Sequence, residues 1–202
     1  MRLISERQNR FSERRESMDN GASSYRRYLD GDDTGITEII RDYKDGLTLY
    51  INGYVNNIFT AEDLMEDTFF KLASKRPRFS GKSAFKTWLY AIARNVALDY
   101  LRKNAKTLDE PIEEFSNYLA EESDVEKEYL IKEQKIFLHR TMRELRPEYF
   151  QVLYLVYFED FTNEEIAKIM KKNKRQVENL IYRAKSTLKS ELKKEGFEYE
   201  NL

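Results

Sequence analysis

The chain has 202 residues, with 35 Lys and Arg against 36 Asp and Glu, and no cysteine. That length suits one domain or two small ones, and the lack of cysteine excludes a disulfide framework and a thiolate metal site. No apolar run is long enough to span a bilayer, residues 1–18 lack the apolar core of a secretory signal, and three prolines and seven glycines leave long stretches unbroken, so an all-α protein is expected.

In chain order, residues 1–22 are polar and aperiodic and are expected to be disordered. Residues 25–57 read as two helices. Tyr28 and Leu29 end the first, and Asp30-Gly31-Asp32-Asp33 breaks it. Ile36, Ile39, Ile40, Tyr43, Leu47, Tyr50, Ile51 and Tyr54 give the second an apolar stripe. Gly46 and Gly53 weaken that helix and are read as points of close helix contact. A third helix is expected from Thr60-Ala61-Glu62-Asp63, with Asp63 as a capping-box acid and Leu64, Thr68, Phe69, Leu72 and Ala73 facing inward. The helix macrodipole accounts for Glu62 and Asp63 better than for Glu66 and Asp67, one turn further on.

The segment from Lys71 to Lys103 carries nine basic residues and one acid, Asp99. It opens with the loop Lys75-Arg76-Pro77-Arg78-Phe79-Ser80-Gly81-Lys82, where Gly81 permits a left-handed backbone. Ser83 is expected to cap a fourth helix. Phe85, Trp88, Leu89, Ile92, Val96 and Tyr100 form its apolar stripe. Lys86, Thr87, Tyr90, Arg94, Asn95 and Arg102 form the opposite face. A basic, aromatic-bearing face on a helix that packs by its other side suits nucleic acid, and a basic loop with an aromatic can hold an unstacked base. An ordinary solvated loop is the competing reading.

Residues 105–127 read as a linker with a large excess of acids, interrupted by Pro111, Ile112, Phe115, Tyr118 and Leu119. An amphipathic helix is expected over Glu128–Arg146. His139, the only histidine, has no partner for a histidine-based metal site or triad, so packing is its default role. Pro147 fits a first helical position, and the run Glu148 to Phe158 is apolar on nearly every side. The last unit is a helix-turn-helix. Thr162 and Glu165 form a capping box, Lys171-Lys172-Asn173 is the turn, and Asn173 caps a final helix with Gln176 at its third position. Val177, Leu180, Ile181, Ala184, Leu188 and Leu192 run down one face. Lys174, Arg175, Glu178 and Asn179 lead the other. Arg175 can bond a guanine edge, Asn179 an adenine and Glu178 a cytosine amino group; alternatively Glu178 pairs with Lys174 or Arg175 along the helix.

The run FKTWLYAIARNVALDYLRK, with AEDLMEDTFFKLA upstream and the helix-turn-helix downstream, resembles the extracytoplasmic-function (group 4) sigma factors of the bacterial sigma-70 family. The resemblance covers about residues 25–192. It implies an all-α fold of two small helical domains: a sigma region 2 bundle over 23–104 and a sigma region 4 helix-turn-helix over 128–195. The acidic linker 105–127 would join them and thread the polymerase's RNA-exit path, and 196–202 would be a tail. It implies that Asp63, Glu66, Asp67, Phe70 and Lys71 bind the clamp of the largest subunit of core RNA polymerase. It places Arg78, Phe79, Ser80, Lys82, Lys86, Arg94 and Asn95 at the −10 element of promoter DNA, with the loop capturing a flipped base. Lys174, Arg175, Gln176, Glu178, Asn179, Tyr182, Arg183 and Lys185 would meet the −35 element, while the domain carrying them binds the flap of the second subunit. An anti-sigma factor is an implied partner, and a cytoplasmic, nucleoid-associated protein is expected. Two residues depart from the family pattern: glycine is usual near Lys171, and a base where Glu178 stands.

No catalytic residues, metal site or cofactor are expected, and no direct membrane insertion. The rival readings are a stand-alone helix-turn-helix regulator, which explains only Thr162–Leu192, and a helical interaction module without nucleic-acid function.

Overall fold

The computed structural model describes residues 21–104 and 137–194. The expectations for the N-terminal extension, the linker, the first part of the helix before Arg146 and the C-terminal tail lie outside the described residues. Among the described residues all regular structure is helical. The helices are α1 (21–29), α2 (Thr34–Val55), α3 (Ile58–Lys75), α4 (Phe85–Lys103), α5 (137–143), α6 (Pro147–Tyr157), α7 (Asn163–Met170) and α8 (Lys174–Lys194).

The first four helices form a bundle. α1 stops at Gly31, whose φ of 101° only glycine adopts without strain. The Asp32 carboxylate then accepts from the Thr34 amide and hydroxyl. Arg27 ties the corner together by pairing with Asp32 and Glu38. Ile39, Leu47, Tyr50 and Ile51 from α2 meet Leu72 from α3 and Leu89 from α4 in a core closed to solvent. Ile40, assigned to the α2 stripe, stays exposed.

Two helix starts differ from expectation. α3 begins at Ile58 rather than Thr60, because Asn57 is the cap and its side chain accepts from the Thr60 amide at 3.0 Å. The earlier start buries Ile58, which outweighs the box around Asp63. α4 begins at Phe85 behind Ala84, with no side-chain cap, so Ser83 does not fill that role.

The last four helices form a second unit. α5 ends at residue 143, short of the expected Arg146, and Pro147 opens α6. The Thr162–Glu165 capping box is present in full. Asn173 and Gln176 cap each other, with Asn173 Oδ1 accepting from the Gln176 amide at 2.8 Å and Gln176 Oε1 from the Asn173 amide at 2.9 Å. Lys171 makes the turn in the left-handed region at φ 54°. Val177, Ala184, Leu188 and Leu192 seat α8 on the unit's core.

The two units pack directly on one another. α6 lies between α2 and α8, and α7 lies against α4. That explains why every residue from Phe150 to Val156 is buried, Gln151 included. Gly46 and Gly53 of α2 are both contact points, as expected. A Cβ on Gly53 would overlap the Phe150 ring, and one on Gly46 would lie 2.5 Å from the Tyr90 hydroxyl and 2.7 Å from Glu159. A chain of rings crosses the seam. Tyr50 stacks on Tyr154 at 6.1 Å and tilts against Tyr90 at 5.3 Å, and Tyr90 meets Phe161 edge-on at 5.1 Å. Such ring pairs contribute about 0.5–1.5 kcal/mol each beyond the area they bury.

Candidate nucleic-acid interface

Three surfaces carry the residues singled out in the sequence. The first is α3. Asp63, Glu66, Asp67, Phe70 and Lys71 are all exposed. Phe70 is 68% exposed, an uncommon state for a large apolar ring. The structure adds a residue that the sequence reading missed. Phe59 is 52% exposed. Phe59, Asp63, Glu66 and Phe70 recur at intervals of four, three and four, so they form one stripe of two rings around two carboxylates. The earlier helix start is what brings Phe59 onto it, and the spacing was the available signal.

The second surface is the loop 76–84 with α4. Arg78, Ser80 and Lys82 are exposed, and Gly81 has φ 70°. Phe79 is half-buried, edge-on to Phe85 at 5.6 Å and tilted on Trp88 at 5.2 Å. Trp88 also packs on Tyr25, as a core residue does. Arg94 and Asn95 are half-buried, and the charge of Arg94 bears on the buried Tyr50–Tyr54 hydroxyl pair.

The expected polar face of α4 is largely covered. Thr87 and Tyr90 are buried, against expectation. Lys86 pairs with Glu159 at 2.6 Å, donates to the Glu159 carbonyl at 3.1 Å and lies 5.0 Å over the Phe161 ring. The Thr87 hydroxyl donates to Glu165 at 3.2 Å, and Lys168 donates to the Lys82 carbonyl at 3.1 Å. Burial pushes the Tyr90 phenol far up, and the Glu159 charge adds to it. The physical reason is tertiary: the corner between α6 and α7 supplies Glu159 and the Phe161 ring, and the first turn of α7 supplies Glu165, to cover this face.

The third surface is α8. Lys174, Arg175, Gln176, Glu178, Asn179, Tyr182 and Arg183 are all exposed on its leading turns, with Tyr182 at 77%. Lys185 is half-buried, its ammonium 5.3 Å over the Tyr157 ring. Lys174 pairs with Glu164 of α7 at 2.5 Å, and the charge of Glu178 bears on it as well. Two consecutive capped helices, the second presenting polar and basic side chains from its first turns, have the geometry of a unit that sets a helix in the major groove.

The family model for sigma-70 region 2 matches residues 39–107, and that for sigma-70 region 4 matches residues 138–188. Together they span more than half of the chain. The chain belongs to the sigma-70 family. It is a sigma factor of the extracytoplasmic-function type, an alternative RNA polymerase sigma factor that acts in transcription initiation. It is similar to RNA polymerase sigma factor YlaC of Bacillus subtilis, 28% identical over 160 residues, covering 79% of this chain and 92% of that one. It is also similar to ECF RNA polymerase sigma factor SigW of Bacillus subtilis, 25% identical over 171 residues, covering 81% of this chain and 91% of that one. Among solved structures, the sigma factor RpoE, in complex with the anti-sigma factor NepR from Bartonella quintana, overlays with a TM-score of 0.60. That overlay covers 78% of this chain and 96% of the other at 19% identity, a likeness of fold. The first and second surfaces of this sigma factor therefore lie in or beside its region 2, and the third in its region 4.

Proposed function

We propose that this sigma factor docks on core RNA polymerase through the α3 stripe, opens the −10 element with the 78–82 loop and α4, and reads the −35 element with α8. The observation that carries the reading is the α3 stripe. Two rings more than half exposed flank Asp63 and Glu66, and an exposed aromatic–acidic patch fits a basic, partly apolar protein surface. A regulator that binds DNA alone has no use for it. Region 2 then spans 23–104 and region 4 spans 128–195. The clamp of the largest subunit is the partner of Asp63, Glu66, Asp67, Phe70 and Lys71, joined by Phe59, and the flap of the second subunit is the partner of region 4. Arg78, Ser80, Lys82, Lys86, Arg94 and Asn95 face −10 DNA, with Phe79 as the ring nearest the captured base. The chemistry of RNA synthesis stays with the polymerase.

The RpoE relative is held by an anti-sigma factor, which supports an anti-sigma partner here. No helix among the described residues is long and apolar enough to cross a membrane, in keeping with action on the nucleoid.

In vitro transcription with core polymerase tests the proposal. Glu66→Lys with Asp67→Lys changes two exposed residues, so the fold should stand while core binding weakens by roughly tenfold or more. Unchanged core affinity in that variant would remove the clamp assignment. Arg78→Ala should slow strand opening, read as thymine reactivity to permanganate, while duplex binding persists.

A further inference from the structure

The loop assigned to the −10 element leaves α3 where the helix cannot close on itself. Arg76 stands in the left-handed region at φ 43°, and Pro77 behind it has no amide hydrogen to offer the last carbonyls of α3. Two phenols of α1 meet carbonyls there instead. The Tyr28 hydroxyl donates to the Ala73 carbonyl at 3.1 Å, and the Tyr25 hydroxyl donates to the Pro77 carbonyl at 2.7 Å. The Arg76 guanidinium lies 5.0 Å over the Tyr28 ring. Both tyrosines are buried.

Tyr25 also meets the rings beneath the loop. It tilts on Phe85 at 5.6 Å and on Trp88 at 5.4 Å, and Phe79 rests on the same two rings. One residue of α1 therefore touches both the backbone just before Arg78 and the aromatic floor under Phe79. Beyond Phe79 the loop opens out. Ser80, Gly81 and Lys82 are exposed, and a Cβ on Gly81 would meet nothing within 4 Å. The loop thus has a fastened first half and an open tip.

We infer that α1 is a positioning element for base capture, with Tyr25 as its positioning residue: by holding the Pro77 carbonyl and the rings under Phe79, it sets where Arg78 and Phe79 meet the flipped base. The inference rests on the proposed −10 role of the loop. Tyr25 itself is buried and touches no DNA. A loop held in place beforehand loses less freedom when the base arrives and fits fewer base shapes. A loosened loop takes more kinds of base, and takes each more slowly.

The test is Tyr25→Phe in the full-length protein with core polymerase, a change that removes one hydroxyl and keeps the ring. A promoter library varied over the −10 and −35 elements reads the outcome. Preference at one −10 position should flatten by about fivefold, the factor that one neutral hydrogen bond supplies, while every −35 preference is kept. Permanganate reactivity should appear more slowly, and core affinity should not change. Tyr28→Phe frees the Ala73 carbonyl further from the base and should flatten the same position less; it decides by the same criterion should Tyr25→Phe not fold. Unaltered −10 preferences in the folded variant overturn the inference. An equal loss at −10 and −35 also overturns it, because general destabilisation gives that pattern. Phe79→Ala separates this inference from the reading beneath it: if every −10 preference survives that change, the loop captures no base, and the −10 assignment and the inference fall together.

Discussion

Helices α4 and α8 carry the same kind of sequence: an apolar stripe on one side, and basic residues with a tyrosine on the other. They end in opposite situations. In α8, Tyr182 and its basic neighbours stand in solvent. In α4, Tyr90 is sealed and Lys86 is held between a carboxylate and a ring. The difference lies in what arrives from elsewhere in the chain. The outer face of α8 receives only the Glu164 carboxylate at Lys174 and the contact of Lys185 with the Tyr157 ring, whereas α4 receives the corner at Glu159 and Phe161 together with the capped start of α7. Periodicity says which side a helix can hide first. It is silent on whether a second partner comes to cover the rest.

The largest expected effect would break the covered side. Tyr154 touches Tyr50 across the seam and stacks on Phe150 and Phe158 within its own unit. Tyr154→Ala should cost about 3–5 kcal/mol in urea unfolding. The single tryptophan, Trp88 on α4, reports from the other unit. If its fluorescence midpoint stays put while helix content falls in a separate step, the seam does not couple the halves.

Next comes acidity. His139 sits edge-on to Phe150, Tyr154 and Phe158, and burial, then the charge of Arg143, pushes its imidazole down to about 3. The unfolded chain takes up a proton below the ordinary value of 6.5, and the folded chain refuses it until about 3. This contribution is therefore complete above pH 6.5 and is lost as pH falls toward 3, by up to about 1.4 kcal/mol per unit. Between pH 6.5 and 4, the stability of His139→Leu should fall less steeply than that of the parent, by one proton's worth of slope. Parallel pH curves would mean that the imidazole protonates in place.

On the open side, Glu178→Gln should alter the preferred base at one −35 position by about 1–3 kcal/mol in a promoter-library selection. An unaltered preference at every position would leave Glu178 as a surface charge. The smallest effect sharpens the turn in front of α8. Lys171 holds φ 54°, a region that costs an L-residue roughly 1 kcal/mol, so Lys171→Gly should raise the denaturation midpoint of the C-terminal unit slightly without changing base preference.

Local chemistry was the legible part of the sequence. The Gly31 break, the Thr162–Glu165 box and the Asn173–Gln176 pair involve residues within a turn of each other, and the structure has all three. The α3 cap was misplaced because Thr60 and Asn57 both make acceptable caps, and only the burial of Ile58 chooses between them. The exposure of the α8 residues was legible because their stripe has a single core to face. The fate of Thr87 and Tyr90 was not, since Glu165 and Phe161 lie more than seventy positions away and carry no mark of where they will land. Phe59 was overlooked for a simpler reason: placed ahead of the expected helix start, it had no face to belong to.

Gly53 shows how close the seam is at one point. The Phe150 ring occupies the space where a side chain would begin, so the fit of α6 on α2 depends on a group that is missing. Alanine is one nucleotide change from glycine in the genetic code. That single change would set a methyl group inside the Phe150 ring, so one base in the gene separates a close fit of α6 on α2 from a forced one.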